Sequence, residues 1–329
     1  ATTILSGAPV MAQSCDIDGN TVACKVDVSA SAINEALGDL SGPSGVLEIA
    51  DGVSITADVS EIEPPTPTNL SIANNGMIGS ESGPLDILFL PAEGSIDDGS
   101  SFVFANSGSF FGGLDVGVDL DAGYANAGWH LGSVTLTSRY GDLDAVVAGD
   151  LILADETDDE KVLAMSTGLG VASVRTLDGA NIEGDIAVLA GSDVALVNDG
   201  TIAGDVEMQA GIQSTERERL VTVEPTVLDD GSEQIDEVET TTNRSSFTRG
   251  TAGLMNGANG VISGDVELRG SDGVVLGNAG LIAGAVVLNS TNQEFFEQDV
   301  NLIRSKREPS GDESLSFVGL GNEARSTNV

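Results

Sequence analysis

Carboxylates are the side chains of this sequence that could most readily do chemistry. The 329 residues include 52 Asp and Glu, 13 Lys and Arg and a single histidine, His130, which gives a formal net charge of −39. Two carboxylates that face each other across a groove can cleave a glycosidic bond by acid and base catalysis. Oxygen-rich acidic loops can also bind Ca²⁺, and the segments at 97–99 and 155–160 are the candidates for such a site.

No motif singles out a catalytic or metal-binding set. The two acidic segments lack the ligand spacing of a known calcium loop, so a solvated charged loop is the alternative interpretation. A pair such as Asp142 and Asp144 is more often part of a solvated, charged surface than a catalytic pair. The strings around Ser44 and Ser310 lack the residues that a serine nucleophile needs, and only one histidine could serve as a base. We therefore expect no enzyme activity and no cofactor, with Ca²⁺ as the single metal to consider.

Net charge and composition restrict the partners and the fold class. A charge of −39 repels nucleic acid and anionic membrane surfaces, so neither is expected as a partner. Hydrophobic residues make up 40% of the chain and lie in short alternating runs, which favours a folded chain over a disordered one. The 42 glycines and the low aromatic content of 4% indicate many short strands and tight turns.

The N-terminal region indicates an oxidising compartment. The spacing of Cys15 and Cys24 suits a disulfide that closes a small hairpin, with two free thiols as the alternative. Val10 and Ala12 stand at the two positions that a signal peptidase reads, which predicts cleavage after Ala12. Residues 1–12 are then the remnant of a secretory signal peptide. An irregular N-terminus is the alternative interpretation.

One short pattern, Asn-x-Gly-x-Ile-x-Gly-x-Val-x-Leu, recurs through much of the chain. Its clearest copies begin at Asn198 and Asn278. The second glycine of the pattern recurs in pairs that are 20 residues apart: Gly112 and Gly132, Gly184 and Gly204, and Gly264 and Gly284. A unit this short cannot bury its apolar face alone, so neighbouring units must stack as the coils of a solenoid.

Alternation within the pattern predicts an all-β, parallel solenoid. Apolar residues at even offsets should point inward along strands of period two, and in the clearest copy these are Val194, Leu196, Ile202, Val206 and Met208. Ile202 and Ile282 should then occupy equivalent inward rows. The Asn-x-Gly step supplies the bend between strands, and the asparagines of successive coils either stack as a hydrogen-bonded ladder or act as simple turn residues.

Two side chains depart from the pattern and are further candidates for function. His130 takes the inward position that Ile202 holds in its own coil, which favours packing in the core over a functional imidazole. Trp129 precedes it. If the indole faces outward, it offers a large aromatic surface on which a sugar could stack.

The repeat divides the chain into a cap and a solenoid. Residues 13–68 lack the repeat and contain the cysteine pair and a stretch of helical periodicity at 29–40. An uncovered first coil would expose a strand edge, so this region is expected to cap the solenoid, which is assigned to 69–329.

Two stretches interrupt the solenoid, at about 214–249 and 292–317, and each is predicted to be a β-hairpin arm that projects from a corner. Such insertions either carry recognition or decorate the surface. After the second arm, the residues at 317–322 echo those at 274–278, which predicts the start of a further coil.

The Asn-x-Gly-x-Ile-x-Gly-x-Val-x-Leu coils, together with the secretory N-terminus, resemble the passenger domains of autotransporters, the type V secretion proteins of Gram-negative bacteria. The resemblance implies a right-handed β-helix at the cell surface, anchored to the outer membrane through a C-terminal β-barrel that this sequence does not contain. It also implies an adhesin or structural role, with a surface protein or glycan of a host or neighbouring cell as partner. The alternative hypothesis is a carbohydrate-active β-helix enzyme, either a polysaccharide lyase or a hydrolase.

Overall fold

The computed structural model describes residues 15–40, 42–64, 68–90, 99–153, 161–211 and 248–290 with their side chains, and the backbone of strands at 213–227, 233–247, 301–307 and 313–314. The chain divides into two compact units. The first, here called the solenoid, comprises Ala1–Gly211 and Arg249–Thr291, and the second, the arm sheet, comprises Ile212–Thr248 and Asn292–Val329. The predicted signal remnant at 1–12 lies outside the described residues.

Three long β-sheets build the solenoid, and successive coils of the chain add strands to each sheet in turn. Sheet 1 consists of Asp16–Asp18, Thr21–Cys24, Ser44–Ile49, Asn69–Asn74, Ser101–Asn106, Ala122–Asn126, Leu143–Val147, Ala172–Thr176, Val194–Asn198, Thr251–Asn256 and Gly273–Asn278. Sheet 2 consists of Val28–Ser29, Ser54–Thr56, Met77–Ile78, Ser109–Phe111, Trp129–Leu131, Asp150–Ile152, Asn181–Glu183, Thr201–Ile202, Val261–Ile262 and Leu281–Ile282. Sheet 3 consists of Glu61–Ile62, Asp86–Phe89, Leu114–Val118, Val134–Ser138, Lys161–Thr167, Asp185–Ala190, Val206–Ala210, Val266–Gly270 and Val286–Ser290.

Neighbouring strands of the three sheets run parallel, apart from the antiparallel pair that opens sheet 1. Ile202 pairs with Ile262, and Ile262 pairs with Ile282, so the predicted inward rows are confirmed. The fold is therefore the all-β parallel solenoid that the repeat predicts. Its right-handed sense stays a prediction.

The hydrophobic core runs along the inside of the coils. In the clearest copy of the repeat, the five residues predicted to face inward are each exposed by 1% or less: Val194, Leu196, Ile202, Val206 and Met208. Alternate residues of the same strands are only partly buried or exposed, as for Ala195 and Glu207. Removal of this apolar area from water is the main favourable contribution to stacking of the coils.

The six repeat glycines all lie at the corner between sheet 2 and sheet 3: Gly112, Gly132, Gly184, Gly204, Gly264 and Gly284. At Gly132 the φ angle is +149°, and a Cβ atom would lie 2.0 Å from the carbonyl oxygen of Gly112. Both the backbone conformation and the contact exclude a side chain. At Gly204 the close contact alone matters, because a Cβ would lie 2.3 Å from the backbone of Gly184. The regular glycine spacing therefore results from the close approach of each corner to the same corner of the neighbouring coil.

Inward asparagines form a ladder at the corner between sheet 1 and sheet 2. Asn74 Nδ2 donates to Asn106 Oδ1 at 2.7 Å, and Asn106 Nδ2 donates to Asn126 Oδ1 at 2.8 Å. The Asn126 amide donates in turn to the carbonyl oxygen of Asp150 at 2.7 Å. These asparagines are buried and pair with one another, so they are more than simple turn residues.

The ladder is not continuous. Val147 and Thr176 occupy the next two positions in register, and a second ladder then runs from Asn198 through Asn256 to Asn278 with two hydrogen bonds of 2.8 Å. The repeat pattern did not predict the part played by Asn256. The corner after this residue is two residues longer than the Asn-x-Gly step, so an alignment on the repeat glycines does not bring Asn256 into line with Asn198 and Asn278.

The solenoid begins earlier in the chain than the repeat does. Thr21–Cys24 and Ser44–Ile49 are parallel strands of sheet 1, although they lie within the region 13–68 that the sequence suggests as a separate cap. Leu47 and Ile49 are 0% exposed and keep the inward alternation without the Asn and Gly signature. Packing of alternate residues is enough to build a coil, and the signature marks only its corners.

A helix follows the sheet 2 strand of the first coil, at the point where later coils form a sheet 3 strand. It spans Ala30–Gly38, inside the predicted stretch 29–40, and the Ser29 side chain caps it by accepting from the backbone N–H of Ala32. Its buried face includes Ile33 and Leu37, both 0% exposed. This face covers the core of the first coil.

Polar side chains also close the N-terminal edge of the sheets. The Asn34 side chain donates to the carbonyl oxygen of Glu61 and accepts from the backbone N–H of Glu63, both at 3.0 Å, so it imitates a paired strand at the edge of sheet 3. At the edge of sheet 1, a disulfide joins Cys15 to Cys24 across the antiparallel hairpin. Asn34 thereby protects the edge of sheet 3 from pairing with other chains, and sheet 1 ends in the short, charged strand Asp16–Asp18, which discourages such pairing.

The arm sheet contains four antiparallel strands. Gln213–Val227 pairs with Glu233–Phe247, so the hairpin predicted in the first insertion is present. Asn301–Arg307 pairs with Glu313–Ser314 in the second insertion and also with Glu233–Phe247. The sequence did not predict this pairing of the two arms. It shows that they form one unit and not two separate hairpins.

Candidate functional site: the corner groove

A groove forms where the corner between sheet 2 and sheet 3 changes in length. Two consecutive coils turn this corner with only two residues each, Gly112-Gly113 and Gly132-Ser133. In the preceding coil the same corner expands to residues 79–85. The compact glycine corners form a low floor beside the expanded corner, and we call this depression the corner groove.

The corner groove has a volume of about 500 Å³. Its lining combines apolar and acidic side chains with hydroxyl groups, and includes Glu81, Asp86, Phe111, Leu131, Ser133 and Leu153. Carboxylates and hydroxyls beside an aromatic floor suit a ligand that is rich in hydroxyl groups and has one apolar face, such as a sugar ring.

Trp129 faces outward next to the groove. Its ring is partly buried and meets the ring of Phe111 edge to face, with 4.9 Å between centroids and an interplanar angle of 82°. The T-shaped contact holds the indole in place, because aromatic pairs favour this geometry. The outward orientation that sugar stacking requires is therefore present.

Among the described residues, the two carboxylates that line the groove differ in their surroundings. Asp86 Oδ1 accepts from the backbone N–H of Gly113 at 2.6 Å, which ties this carboxylate to the corner of the next coil. Glu81 lies on the expanded corner and is exposed. Glu81 is thus the carboxylate of the groove with more freedom to contact a ligand.

A buried polar pair lies directly beneath the floor of the groove. His130 Nε2 is 2.9 Å from the carbonyl oxygen of Gly112, and His130 Nδ1 is 2.7 Å from the Tyr124 hydroxyl. Since a carbonyl can only accept, Nε2 carries the proton, and Nδ1 accepts from the Tyr124 hydroxyl. The ring also packs against Phe110, with centroids 4.4 Å apart. Every polar atom of the pair is satisfied, which explains how the core holds a histidine.

Burial controls the ionisation of both groups. It lowers the pKa of His130 to about 4, against a weaker opposing effect of the hydrogen bond to Gly112, and it raises the pKa of Tyr124 well above its ordinary value. The imidazole is therefore neutral at physiological pH. A neutral, fully hydrogen-bonded histidine with 0% exposure packs the core, as the sequence pattern predicts, and has no route to a ligand.

Many aspartates at the corners have a structural use. Asp185 Oδ1 accepts from the backbone N–H of Asp205, Asp205 Oδ1 from that of Asp265, and Asp265 Oδ1 from that of Ala285, each at 2.7 Å. Each carboxylate thus binds the next coil by a charge-assisted hydrogen bond. We call this row the aspartate ladder.

Asp185, the first carboxylate of the aspartate ladder, lies in surroundings that favour its ionised form. Burial opposes the charged form of Asp185, but the hydrogen bond from Asp205 and the nearby Lys161 ammonium outweigh it and lower the pKa of Asp185. Lys161 Nζ lies 3.0 Å from Asp185 Oδ2.

The carboxylates named in the sequence analysis have similar partners. Asp142 Oδ1 accepts from the backbone N–H of Val171 at 2.8 Å, and Asp144 accepts from the Ser173 hydroxyl. Both bonds join one coil to the next. In the structure, Asp142 and Asp144 therefore stabilise the stacking of neighbouring coils.

The candidate calcium segments fall largely outside the described residues, since 97–98 and 155–160 are not among them. Within the part of the chain that is described, no group of three or more His, Cys, Asp and Glu side chains is placed to hold a metal ion. In the same part, no helix has the length and apolar character needed to cross a membrane.

Sequence reasoning missed Tyr124 and the corner groove. Tyr124 stands at an inward position of the strand Ala122–Asn126, where its hydroxyl needs a buried partner, and His130 offered one six residues later. The need of an inward tyrosine for a buried hydrogen-bond partner could therefore have been recognised from the sequence. The groove depends on the unequal lengths of neighbouring corners, for which the repeat gives no rule.

Comparisons of the chain with protein families, with curated proteins and with solved structures found no match in any of the three. The corner groove and the fold are therefore the basis for any assignment of function.

Proposed function

We propose that this protein is an extracellular adhesin or structural scaffold, similar to an autotransporter passenger, that binds a glycan or surface protein and does not catalyse a reaction. The observation that carries the proposal is the contrast between sheets and corners. The three sheets continue from coil to coil, while the chain varies its corners to build the groove and inserts the segments that form the arm sheet. Binding sites on loops held by a rigid framework fit this arrangement.

Further features support a location outside the cell. A disulfide joins the two cysteines of the sequence, which suits an oxidising compartment. The net charge of −39 suits a soluble surface that repels anionic membranes. Attachment to the outer membrane by a further domain is part of the proposal.

Binding to glycan and surface-protein arrays, with Ca²⁺ and with a chelator, tests the proposal. We expect a defined ligand class, and we expect Trp129→Ala combined with Glu81→Gln to remove the signal if the corner groove is the site. Tyr140→Ala is the matched control, because Tyr140 is 50% exposed and does not line the groove. If no array component binds under either condition, the adhesin function is contradicted.

A carbohydrate-active enzyme is the second candidate, favoured by the two carboxylates and the aromatic floor of the groove. Incubation with a panel of polysaccharides should then release new reducing ends or unsaturated products. Glu81→Gln should abolish the release, and Tyr140→Ala should leave it unchanged. Binding without turnover in the same panel would exclude this candidate.

A further inference from the structure

The corner groove carries negative charge that no nearby cation balances. Among the described residues, its lining includes the carboxylates of Glu81 and Asp86 and no lysine or arginine. Neither carboxylate forms an ion pair with a described residue, whereas lysines and arginines elsewhere do, as Lys161 does with Asp185. A cleft lined by charges of one sign concentrates their field, so the groove attracts a cation more strongly than a flat acidic surface does.

Backbone hydrogen bonds hold Glu81 at the edge of the groove. Ser80 and Gly83 exchange two such bonds of 3.0 and 3.1 Å, so Glu81 is the second residue of a closed turn. The expanded corner is also tied to the floor, because the N–H of Leu85 donates to the carbonyl oxygen of Phe111 at 2.8 Å. Since this backbone is already ordered, a ligand that contacts the Glu81 carboxylate loses little affinity to ordering of the segment.

The aromatic side of the groove suits the same kind of ligand. Phe111 lines the groove and meets Trp129 edge to face. The faces of such rings attract a positive charge as well as the apolar face of a sugar. A sugar ring that carries an ammonium group would therefore contact both sides of the groove favourably, whereas the carboxylates would repel an anionic sugar.

We propose that the corner groove selects saccharides with a protonated amino group, and that Glu81 determines this selectivity. The ammonium group donates to the Glu81 carboxylate while the sugar ring lies against the aromatic floor. A hydroxyl or an amide at the same position can donate a hydrogen bond to the carboxylate but adds no attraction between opposite charges. This inference rests on the proposed function, because it takes the groove to be a glycan site.

Three disaccharides that differ in a single substituent test the selectivity. The glucosamine disaccharide of chitosan carries an ammonium group on each ring, the disaccharide of chitin carries an acetamido group there, and cellobiose carries a hydroxyl. Isothermal titration calorimetry with the full chain at pH 6, where the amino groups are protonated, measures the three affinities. We expect the glucosamine disaccharide to bind about tenfold more tightly than either of the others, because only this ligand adds an ion pair.

Two variants with the same change of charge separate the groove from the acidity of the whole chain. Glu81→Gln should bring the three affinities within about twofold of one another. Glu48→Gln is the matched control, because Glu48 is exposed on sheet 1 and does not line the groove. It should leave the tenfold preference intact. Circular dichroism checks that both variants are folded.

The outcomes distinguish this inference from the proposed function. Equal affinities for the three disaccharides, or no binding of any of them, overturn the selectivity for amino sugars. A preference that survives in Glu81→Gln, or that is lost in Glu48→Gln as well, also overturns it, because the attraction would then come from the charge of the chain as a whole. A different ligand found on the arrays would leave the adhesin function in place while this inference fails.

Discussion

The first and the last described coils of the solenoid differ in how far their apolar interiors are covered. At the N-terminal end, Val22 of the hairpin and Ile33 and Leu37 of the helix are 0% exposed. At the other end of the described coils, the inward Val286 and Leu288 are almost half exposed.

The N-terminal end is covered by elements that the repeat does not contain, so the repeat by itself encodes stacking and not the cover of an end. Each coil presents an edge that the next coil can use, so a repeated sequence has no internal instruction to stop. The N-terminal end is closed by three features that the repeat does not contain: the disulfide-linked hairpin, the helix and the side chain of Asn34. The comparison can be tested at both ends with the same substitutions.

The largest difference is expected for one leucine truncation made at each end. Leu37→Ala should lower the free energy of unfolding by about 2 to 5 kcal/mol, because it leaves a cavity in a fully buried site. Leu288→Ala should lower it by less than about 1 kcal/mol, because the side chain is already 46% exposed. Urea denaturation followed by circular dichroism measures both. Equal losses would mean that the C-terminal core is covered as well as the N-terminal one.

At acidic pH, the least stable part of the solenoid should change from the coil at 273–290 to the coils around His130. The pKa of His130 is about 4 in the folded protein and 6.5 in a free side chain, so the unfolded chain binds the proton more tightly. The contribution of neutral His130 to the free energy of unfolding is fully present above pH 6.5 and is lost as the pH falls to 4. The total loss is about 3 kcal/mol.

Hydrogen exchange at pH 7 and pH 4.5 locates the effect. At pH 7 exchange should be fastest in 273–290, and at pH 4.5 the strands around Trp129–Leu131 should lose protection. The control is the double variant His130→Ile with Tyr124→Phe, which removes both polar partners and should not respond to acid in these strands. A response that persists in this variant would assign the pH dependence to other groups.

Reduction of the disulfide should weaken one end only. The Cys15–Cys24 bond closes a loop with a sequence separation of 9, and its loss should lower stability by about 2 to 3 kcal/mol through the entropy of the unfolded chain. Exchange should increase in the strands Asp16–Asp18 and Thr21–Cys24 and remain unchanged in Gly273–Asn278. An increase at the C-terminal end would show that the ends are coupled through the coils.

The smallest contrast is expected within the asparagine ladders. Asn106→Ala removes a residue bonded on both sides and should cost about 1 to 2 kcal/mol, since partners in the core lose hydrogen bonds. Asn278→Ala removes only the bond from Asn256 at an exposed position and should cost less than about 1 kcal/mol. Thermal unfolding of the two variants compares them. Similar losses would indicate that Asn278 is paired on its far side.

The sequence predicted the elements whose packing is periodic. Ile202, Ile282 and His130 were placed inward by alternation alone, and the corner glycines by their spacing, because stacking repeats the same steric demand in every coil. Features that occur once were harder to predict. The early coil at Ser44–Ile49 lacks the corner signature. The helix was predicted from the helical periodicity at 29–40, but its position in place of a sheet 3 strand was not.

The candidate site was predictable only in part. The outward ring of Trp129 was considered from its place beside an inward residue, and the structure gives it that orientation. The corner groove itself results from an expanded corner at 79–85 beside two compact ones. Lengths of individual corners follow no period, so a repeat-based reading cannot anticipate the depression between them.

The aspartate ladder has an electrostatic consequence. Its carboxylates recur at the spacing of neighbouring strands where coils follow directly, about 4.8 Å, which is well below the screening distance of about 8 Å in physiological salt. A row of fixed negative charges at this spacing attracts mobile counterions. Because screening relieves repulsion between these carboxylates, the stability of the solenoid should rise with ionic strength.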